Sequence, residues 1–260
     1  IVELWHQALK ENSISTKWVE YLNFNRNKTQ EFLQHPTQKI DLIVPRGGEK
    51  LIAFVKQYAT CPVIVSGRGN NFVFVEKEAD KHLALDIIIN GKTAKISACN
   101  AVDKVLIDKN LPNKEEFIQK LIQQLKEFNV EILADKELSK FNKVSKYTSE
   151  DIWFEEFLDY KIVLGSVSSL DKAIKKINKF SGGHSATIVT VNDEAAETFM
   201  NNVDTAAVYQ NASTRFTDGG QFGLGGELAI STDKLHHRGP MGLHHLVTNK
   251  WYIKGNGQIR

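Results

Sequence analysis

Only two cysteines occur in 260 residues, Cys61 and Cys99, and their surroundings differ. So few thiols exclude a disulfide framework and place the chain in a reducing compartment, the cytosol. A surplus of one charge is also lacking, since 33 Lys+Arg against 31 Asp+Glu leave a formal +2. That balance argues against nucleic acid or an anionic membrane surface as a partner. No apolar run nears the ~20 residues that span a bilayer. The charged start, IVELWHQALKENS, reads as an amphipathic helix rather than a signal peptide. Repeats and low-complexity segments are absent, and so are the Walker loop and the GxGxxG fingerprint.

What is present is an alternation of short β-branched runs with helical stretches. Strands are predicted at 41–45, 62–66, 72–75, 104–108, 131–135, 160–165, 186–191 and 205–210. Helices are predicted at 49–59, 77–91, 114–129, 169–180 and 192–202, the third with apolar positions 117, 118, 121, 122, 125 and 128 at helical spacing. Apolar residues make up 42%, enough for a substantial core. The pattern predicts an α/β fold with largely parallel sheets, in which ligands are expected beyond the carboxyl ends of the strands. A boundary is expected near 92–97, and the tail LVTNKWYIKGNGQIR reads as a strand that needs a partner edge.

Residues 211–227, NASTRFTDGGQFGLGGE, stand out most. Five glycines, two acids and Arg215 follow the strand-like AAVYQ, and a second Gly/His/Arg cluster follows at 235–245. A long connection without apolar periodicity is usually functional or disordered. Here Phe216, Phe222 and Leu224 supply anchors. Glycines let backbone amides approach a ligand, while Arg215 and Arg238 suit a carboxylate or phosphate.

Cys99 lies in AKISACNAVDKVLID, downstream of Lys92 and Lys95. Two readings are open: a buried inert thiol, or an exposed one biased toward thiolate by those cations. Cys61, in TCPVIV, reads as structural. Arg46, Gly47 and Gly48 form a strand-to-helix turn with amides available for a phosphate, and SGRGNN at 66–71 is a second such turn. His236, His237, His244 and His245 cluster without an acidic or thiol partner at ligand spacing, so no metal is assigned.

The segments DLIVPRGG, KTAKISACNAVDKVLI, SGGHSATIVT, VDTAAVYQNASTRFTDGGQFGLGGE and STDKLHHRGPMGLHHLVTNKWYIKGNGQIR together resemble one family. It is the glutamate-5-semialdehyde dehydrogenases, or gamma-glutamyl phosphate reductases, of proline biosynthesis, within the aldehyde dehydrogenase superfamily. The resemblance implies an aldehyde-dehydrogenase-like α/β fold. Residues 1–92 would be the later part of an NADP-binding domain, 93–225 the catalytic domain, and 226–260 a return segment with the oligomerisation strand. It implies NADPH-dependent reduction of L-glutamyl 5-phosphate to the semialdehyde through a Cys99 thioester, with the Cys99 amide as oxyanion donor.

On the same resemblance Ser213, Thr214 and Arg215 would hold the substrate, assisted by Arg238. Glu156 would hold the nicotinamide ribose, with Glu155 the alternative one register step away. Arg46, Gly47 and Gly48 would meet the cofactor diphosphate. Partners implied are a second copy of the chain and a glutamate 5-kinase, separate or fused, in the cytoplasm. Hydrolytic relatives carry a glutamate base where this chain has Val65, Ser66 and Gly67, so an acyl enzyme would await hydride or phosphate.

The sequence also departs from the family pattern. The match starts at Ile1, and the family's upstream segment, with its oxyanion asparagine and ribose-binding lysine, is not seen. Arg68, Asn70 and Asn71 replace a small residue and a Cys-His pair, Asp103 replaces a glutamate, and His237 a small residue. The alternatives are an inactive interaction or regulatory fragment of that family and an aldehyde dehydrogenase that acylates CoA.

Overall fold

The computed structural model describes every residue except Leu235 and His236, together with all side chains but theirs and that of Glu49. It divides into two compact units, Ile1–Ile64 and Val65–Arg260. This packing division falls upstream of the functional boundary expected near 92–97.

The first unit holds helices α1 (Val2–Glu11), α2 (Arg26–Gln34) and α3 (Glu49–Tyr58). Asn25 starts α2, its side chain accepting from the Lys28 amide at 2.9 Å. The strands predicted at 41–45 and 62–66 are reduced to one parallel bridge, Ile43 to Val63, held by two backbone bonds of 3.0 and 2.9 Å. A lone pair of short strands is too marginal to extend further.

The second unit is built on seven parallel strands: β1 (Asn71–Val75), β2 (Val102–Asp108), β3 (Glu131–Ala134), β4 (Ser145–Lys146), β5 (Lys161–Val167), β6 (Ser185–Val189) and β7 (Ala207–Gln210). Their order is β4-β3-β5-β2-β1-β6-β7. Helices α4 (Lys81–Thr93), α5 (Lys114–Glu127), α6 (Leu170–Phe180) and α7 (Asp193–Asn202) connect them. A separate antiparallel pair joins β8 (Ala229–Ser231) to β9 (Gly239–Met241).

Strand alternation sorts the core into two layers. Val73, Val75, Val105 and Ile107 pack with α4 and α5, while Phe72, Phe74 and Leu106 pack with α6 and α7. Both faces are covered, which is why these strands read as continuous apolar runs. Asp80 accepts from the amides of His82 and Leu83 and so starts α4 four residues later than predicted.

Between β1 and β2 the register slips: Asn71 pairs Val102, but Phe72 pairs Lys104. Asp103 is the extra residue of a bulge, a device that re-aims a side chain beside a site. Residues 247–260 carry no regular structure, contrary to the terminal strand expected there, and Trp251, Tyr252 and Ile253 are exposed. A strand ladder needs a second edge, and the described chain supplies none to this tail.

Candidate active site

Cys99 sits in the turn between α4 and β2, at the amino end of the sheet. The turn is fixed by asparagines. Asn71 Nδ2 lies 2.8 Å from the Gly69 carbonyl, 2.8 Å from that of Cys99 and 2.7 Å from that of Ala101. Asn100 Nδ2 donates to the carbonyls of Arg215 and Thr217, at 3.3 and 3.0 Å. The Thr214 hydroxyl returns a 2.7 Å bond to the Asn100 carbonyl. The glycine-rich loop is thereby stitched to the cysteine turn. Asn70 ties the preceding turn down, donating to the carbonyls of Trp153 and Phe180 and accepting from the Gly182 amide.

Glu156 enters from the loop before β5. Its carboxylate accepts a hydrogen bond from the Gly69 amide, and burial pushes its pKa up. A Cβ on Gly69 would lie 2.2 Å from the Cys99 carbonyl oxygen and 2.5 Å from Glu156 Oε1, so only glycine fits between them. Glu155, the alternative considered from sequence, is exposed.

Five features decide the electrostatics at the thiol. Burial pushes the Cys99 pKa up first, then the carboxylates of Glu227 and Glu156 push it further. Its own backbone amide and Arg215 pull it down. The thiolate bias expected from nearby lysines is therefore not what the structure shows. Lys92 is fully buried and bound to Asp103 at 2.8 Å, and Lys95 is exposed. The Cys99 amide, expected as an oxyanion donor, is directed at its own sulfur.

Arg215 is the cation that acts on Cys99. Its Nη1 is buried without a hydrogen-bond partner, a donor left for an anion. The Ser213 hydroxyl caps the Arg215 amide at 3.3 Å, so Ser213 and Thr214 both shape the segment that presents the guanidinium. Glu227 closes the loop by accepting from the Gly219 amide at 2.8 Å. Arg238 is not brought to Cys99 by any contact seen here. Its Nη1 holds Asp204 Oδ1 at 2.8 Å, although its Nε is buried without a partner.

Beneath the loop runs a polar relay that sequence reading missed. His184 Nδ1 lies 2.8 Å from Ser185 Oγ, which lies 2.6 Å from Thr217 Oγ1, itself 2.8 Å from the Tyr209 hydroxyl. Burial lowers the His184 pKa to about 4. Asn71, Asn100 and Glu227 were missed as well. The paired asparagines before a buried strand were the available signal, because buried amides demand partners.

The candidate residues gather at the amino ends of the strands, not beyond the carboxyl ends as expected for an open α/β sheet. The reason is topological: Cys99 precedes β2, Glu156 precedes β5, and the chain after β7 doubles back to meet Asn100. A crevice of about 340 Å³ does lie at the carboxyl ends, lined by residues including Glu76, Asp108, Asn110 and Asn192.

Arg46, Gly47 and Gly48 belong to the first unit. Gly48 is the N-terminal cap of α3, with open space where a side chain would stand. Cys61 is partly buried, and its pKa is raised by burial and by Asp41. Of the four clustered histidines, His236 lies outside the described residues. His237 meets the Pro240 carbonyl at 3.0 Å and His245 meets the Gly242 amide at 2.9 Å. Among the described residues no group of three or more His, Cys, Asp or Glu is placed to hold a metal.

No protein-family model matches the chain. Whole proteins do. It is 44% identical over its full length to a gamma-glutamyl phosphate reductase of Clostridium botulinum and 44% identical to one of Dictyoglomus thermophilum. It covers all of its own length and 62% of each relative. The crystal structure of gamma-glutamyl phosphate reductase from Thermotoga maritima matches with a TM-score of 0.92 at 40% identity, covering 100% of this chain and 62% of that one. A propionaldehyde dehydrogenase of Clostridium phytofermentans matches at 20% identity with a TM-score of 0.64, covering 89% of this chain and 59% of the other, which shows a shared aldehyde-dehydrogenase-like fold.

Proposed function

The chain belongs to the gamma-glutamyl phosphate reductase family over the length it has, and on that premise we propose that it carries the acyl-transfer centre of an NADPH-dependent reductase. The substrate is L-glutamyl 5-phosphate and the product L-glutamate 5-semialdehyde. The observation that carries the reading is the convergence of Cys99, Glu156 and the partnerless Arg215 Nη1 on one turn.

The residues present suit a dinucleotide. Glu156 offers a half-buried carboxylate, fit to accept from ribose hydroxyls, beside a Gly69 that leaves no room for a side chain. Within the first unit, taken by itself, Gly48 is open at the amino end of a ten-residue helix and with Gly47 and Arg46 suits a phosphate. When bound, NADPH supplies the hydride that takes the acyl group to the aldehyde level.

This chain's residues do the rest. Arg215 holds the anionic end of the substrate. Cys99 rests as a thiol in this buried, acid-flanked place, and Glu227, the charge acting on it most strongly, takes its proton. The sulfur attacks the acyl carbon, forming the S–C bond as the C–O bond to phosphate breaks, and inorganic phosphate departs. Val65, Ser66 and Gly67 offer no carboxylate to activate water, and Glu227, having taken the thiol proton, is no longer a base, so the thioester persists until it is reduced.

A second copy of the chain is the proposed partner for the exposed tail around Trp251, Tyr252 and Ile253. A glutamate 5-kinase is the proposed supplier of the acyl phosphate. A cytoplasmic location is proposed alongside, and no helix among the described residues is long and apolar enough to cross a membrane. The test is peptide mass mapping after exposure to the semialdehyde and NADP⁺ without phosphate. A glutamyl adduct on Cys99 that added phosphate removes is expected. An adduct on Cys61, or turnover with none on Cys99, would refute the assignment.

A further inference from the structure

Two lysines are fully buried among the described residues, and only one of them is paired. Lys92 holds Asp103 at 2.8 Å. Lys104, next to Asp103 in the β2 bulge, has no hydrogen-bond partner for Nζ, which stands 3.5 Å from the centroid of the Phe157 ring. An ammonium buried with no hydrogen-bond acceptor is costly, and the aromatic face is the compensation in direct contact with it.

Phe157 directly follows Glu156. Its amide donates to Asp103 Oδ2 at 2.8 Å, so backbone and ring of this residue are gripped by two successive residues of the bulge. Lys161, on β5, stands 4.9 Å from the same ring, and Lys92, on α4, stands 5.9 Å away. The run of contacts is continuous, from Lys104 to Phe157 and Glu156, then through the Gly69 amide to the cysteine turn.

We propose that Lys104 is a positioning residue whose ammonium clasps the Phe157 ring and so holds Glu156 against Gly69 and the cysteine turn, a hold that is released when the ammonium loses its proton. Its consequence for the cofactor rests on the reading of Glu156 as ribose ligand. The charged groups facing Lys104 come from every neighbouring element. Asp103 on β2 and Glu155 on the loop favour the ammonium, while Lys92 and Lys161 oppose it. Burial outweighs all of them and lowers the lysine's pKa to about 7.

The sign follows directly. Below pH 7 the lysine is charged and the clasp is closed; as pH rises through 7 the folded protein releases the proton and the clasp loosens. Global stability moves the other way. The unfolded chain keeps this proton up to the ordinary value of 10.5, so the cost of burying the charge is relieved between pH 7 and 10.5. A lysine that served only the core would make stability and cofactor binding change together. The clasp makes them diverge.

The test is an NMR titration of ¹³C-labelled phenylalanine rings in this chain, with Phe157 assigned through Phe157→Leu. It is paired with NADPH fluorescence binding at pH 6 and 8.5 for the parent, Lys104→Met and Glu156→Gln. The Phe157 ring signal should titrate near pH 7 in the parent and in Glu156→Gln. Lys104→Met should bind NADPH about tenfold more weakly than the parent at pH 6, narrowing to near parity at pH 8.5. Titration of the cofactor's own phosphate is common to all variants and cancels in the ratio. A Phe157 ring that does not titrate between pH 6 and 8.5, or a Lys104→Met ratio independent of pH, overturns the clasp. Parent-like binding by Glu156→Gln would instead overturn the ribose reading, while the ring titration still decides the clasp.

Discussion

Replacing Asn71 with alanine should loosen the cysteine turn without unfolding the unit, and the cost can be worked from its contacts. The amide nitrogen has two hydrogens and lies within 2.8 Å of three carbonyls, those of Gly69, Cys99 and Ala101. Losing two bonds strands buried carbonyls at about 1–3 kcal/mol each. Its own Oδ1 is buried without a partner, so truncation also removes one unsatisfied acceptor and returns about 1 kcal/mol. The net loss is about 3 kcal/mol, less than a typical domain stability of about 5–15 kcal/mol. Urea denaturation followed by the emission of buried Trp153 is the assay, the other three tryptophans being exposed. With a slope of about 2 kcal/mol per molar, the midpoint should fall by about 1.5 M. Alkylation of Cys99 should also speed up as the turn opens. A midpoint shift under about 0.3 M, or an unchanged alkylation rate, would refute the claim that Asn71 holds the turn.

Gly69→Ala should abolish turnover in the complete enzyme while leaving the fold intact by circular dichroism, because its Cβ would displace Cys99 or Glu156; retained activity counts against the close approach. The pH profile of Cys99 alkylation should have its midpoint above the ordinary thiol value of about 8.5, and Glu227→Gln should move it down. A midpoint below that value would contradict the burial argument. His184 binds its proton in the folded state only near pH 4, whereas the unfolded chain binds it near 6.5, so its contribution is present above pH 6.5 and is lost as pH falls toward 4. That interval is worth about 3 kcal/mol, and the acid slope of stability should flatten in His184→Gln.

The sheet was legible because its strands are apolar on both faces and its helices repeat at their own period. In α5 the buried Phe117, Ile118, Leu121, Ile122 and Leu125 are five of the six residues the spacing marks, and the sixth, Phe128, follows the helix and is exposed. Strand lengths in the first unit were not legible, since 41–45 and 62–66 have the composition of strands but no third edge to extend their single bridge. Cys99, Arg215 and Glu156 could be picked out because their motifs are long and ordered. What binds them together could not. Asn71 reaches carbonyls about thirty positions away, Thr214 meets Asn100 across the fold, and Asp103 acts only because a register slip turns it. The sign of the thiol shift escaped for the same reason, since it depends on burial and on Glu227, placed by a loop more than a hundred residues downstream.

The most direct measurement is phosphate-dependent reduction of NADP⁺ by glutamate 5-semialdehyde, compared between the complete gene product and its Cys99→Ser variant. The Cys99 thioester mechanism predicts turnover that requires phosphate and disappears with the sulfur. Turnover without phosphate, or activity that survives Cys99→Ser, would contradict it.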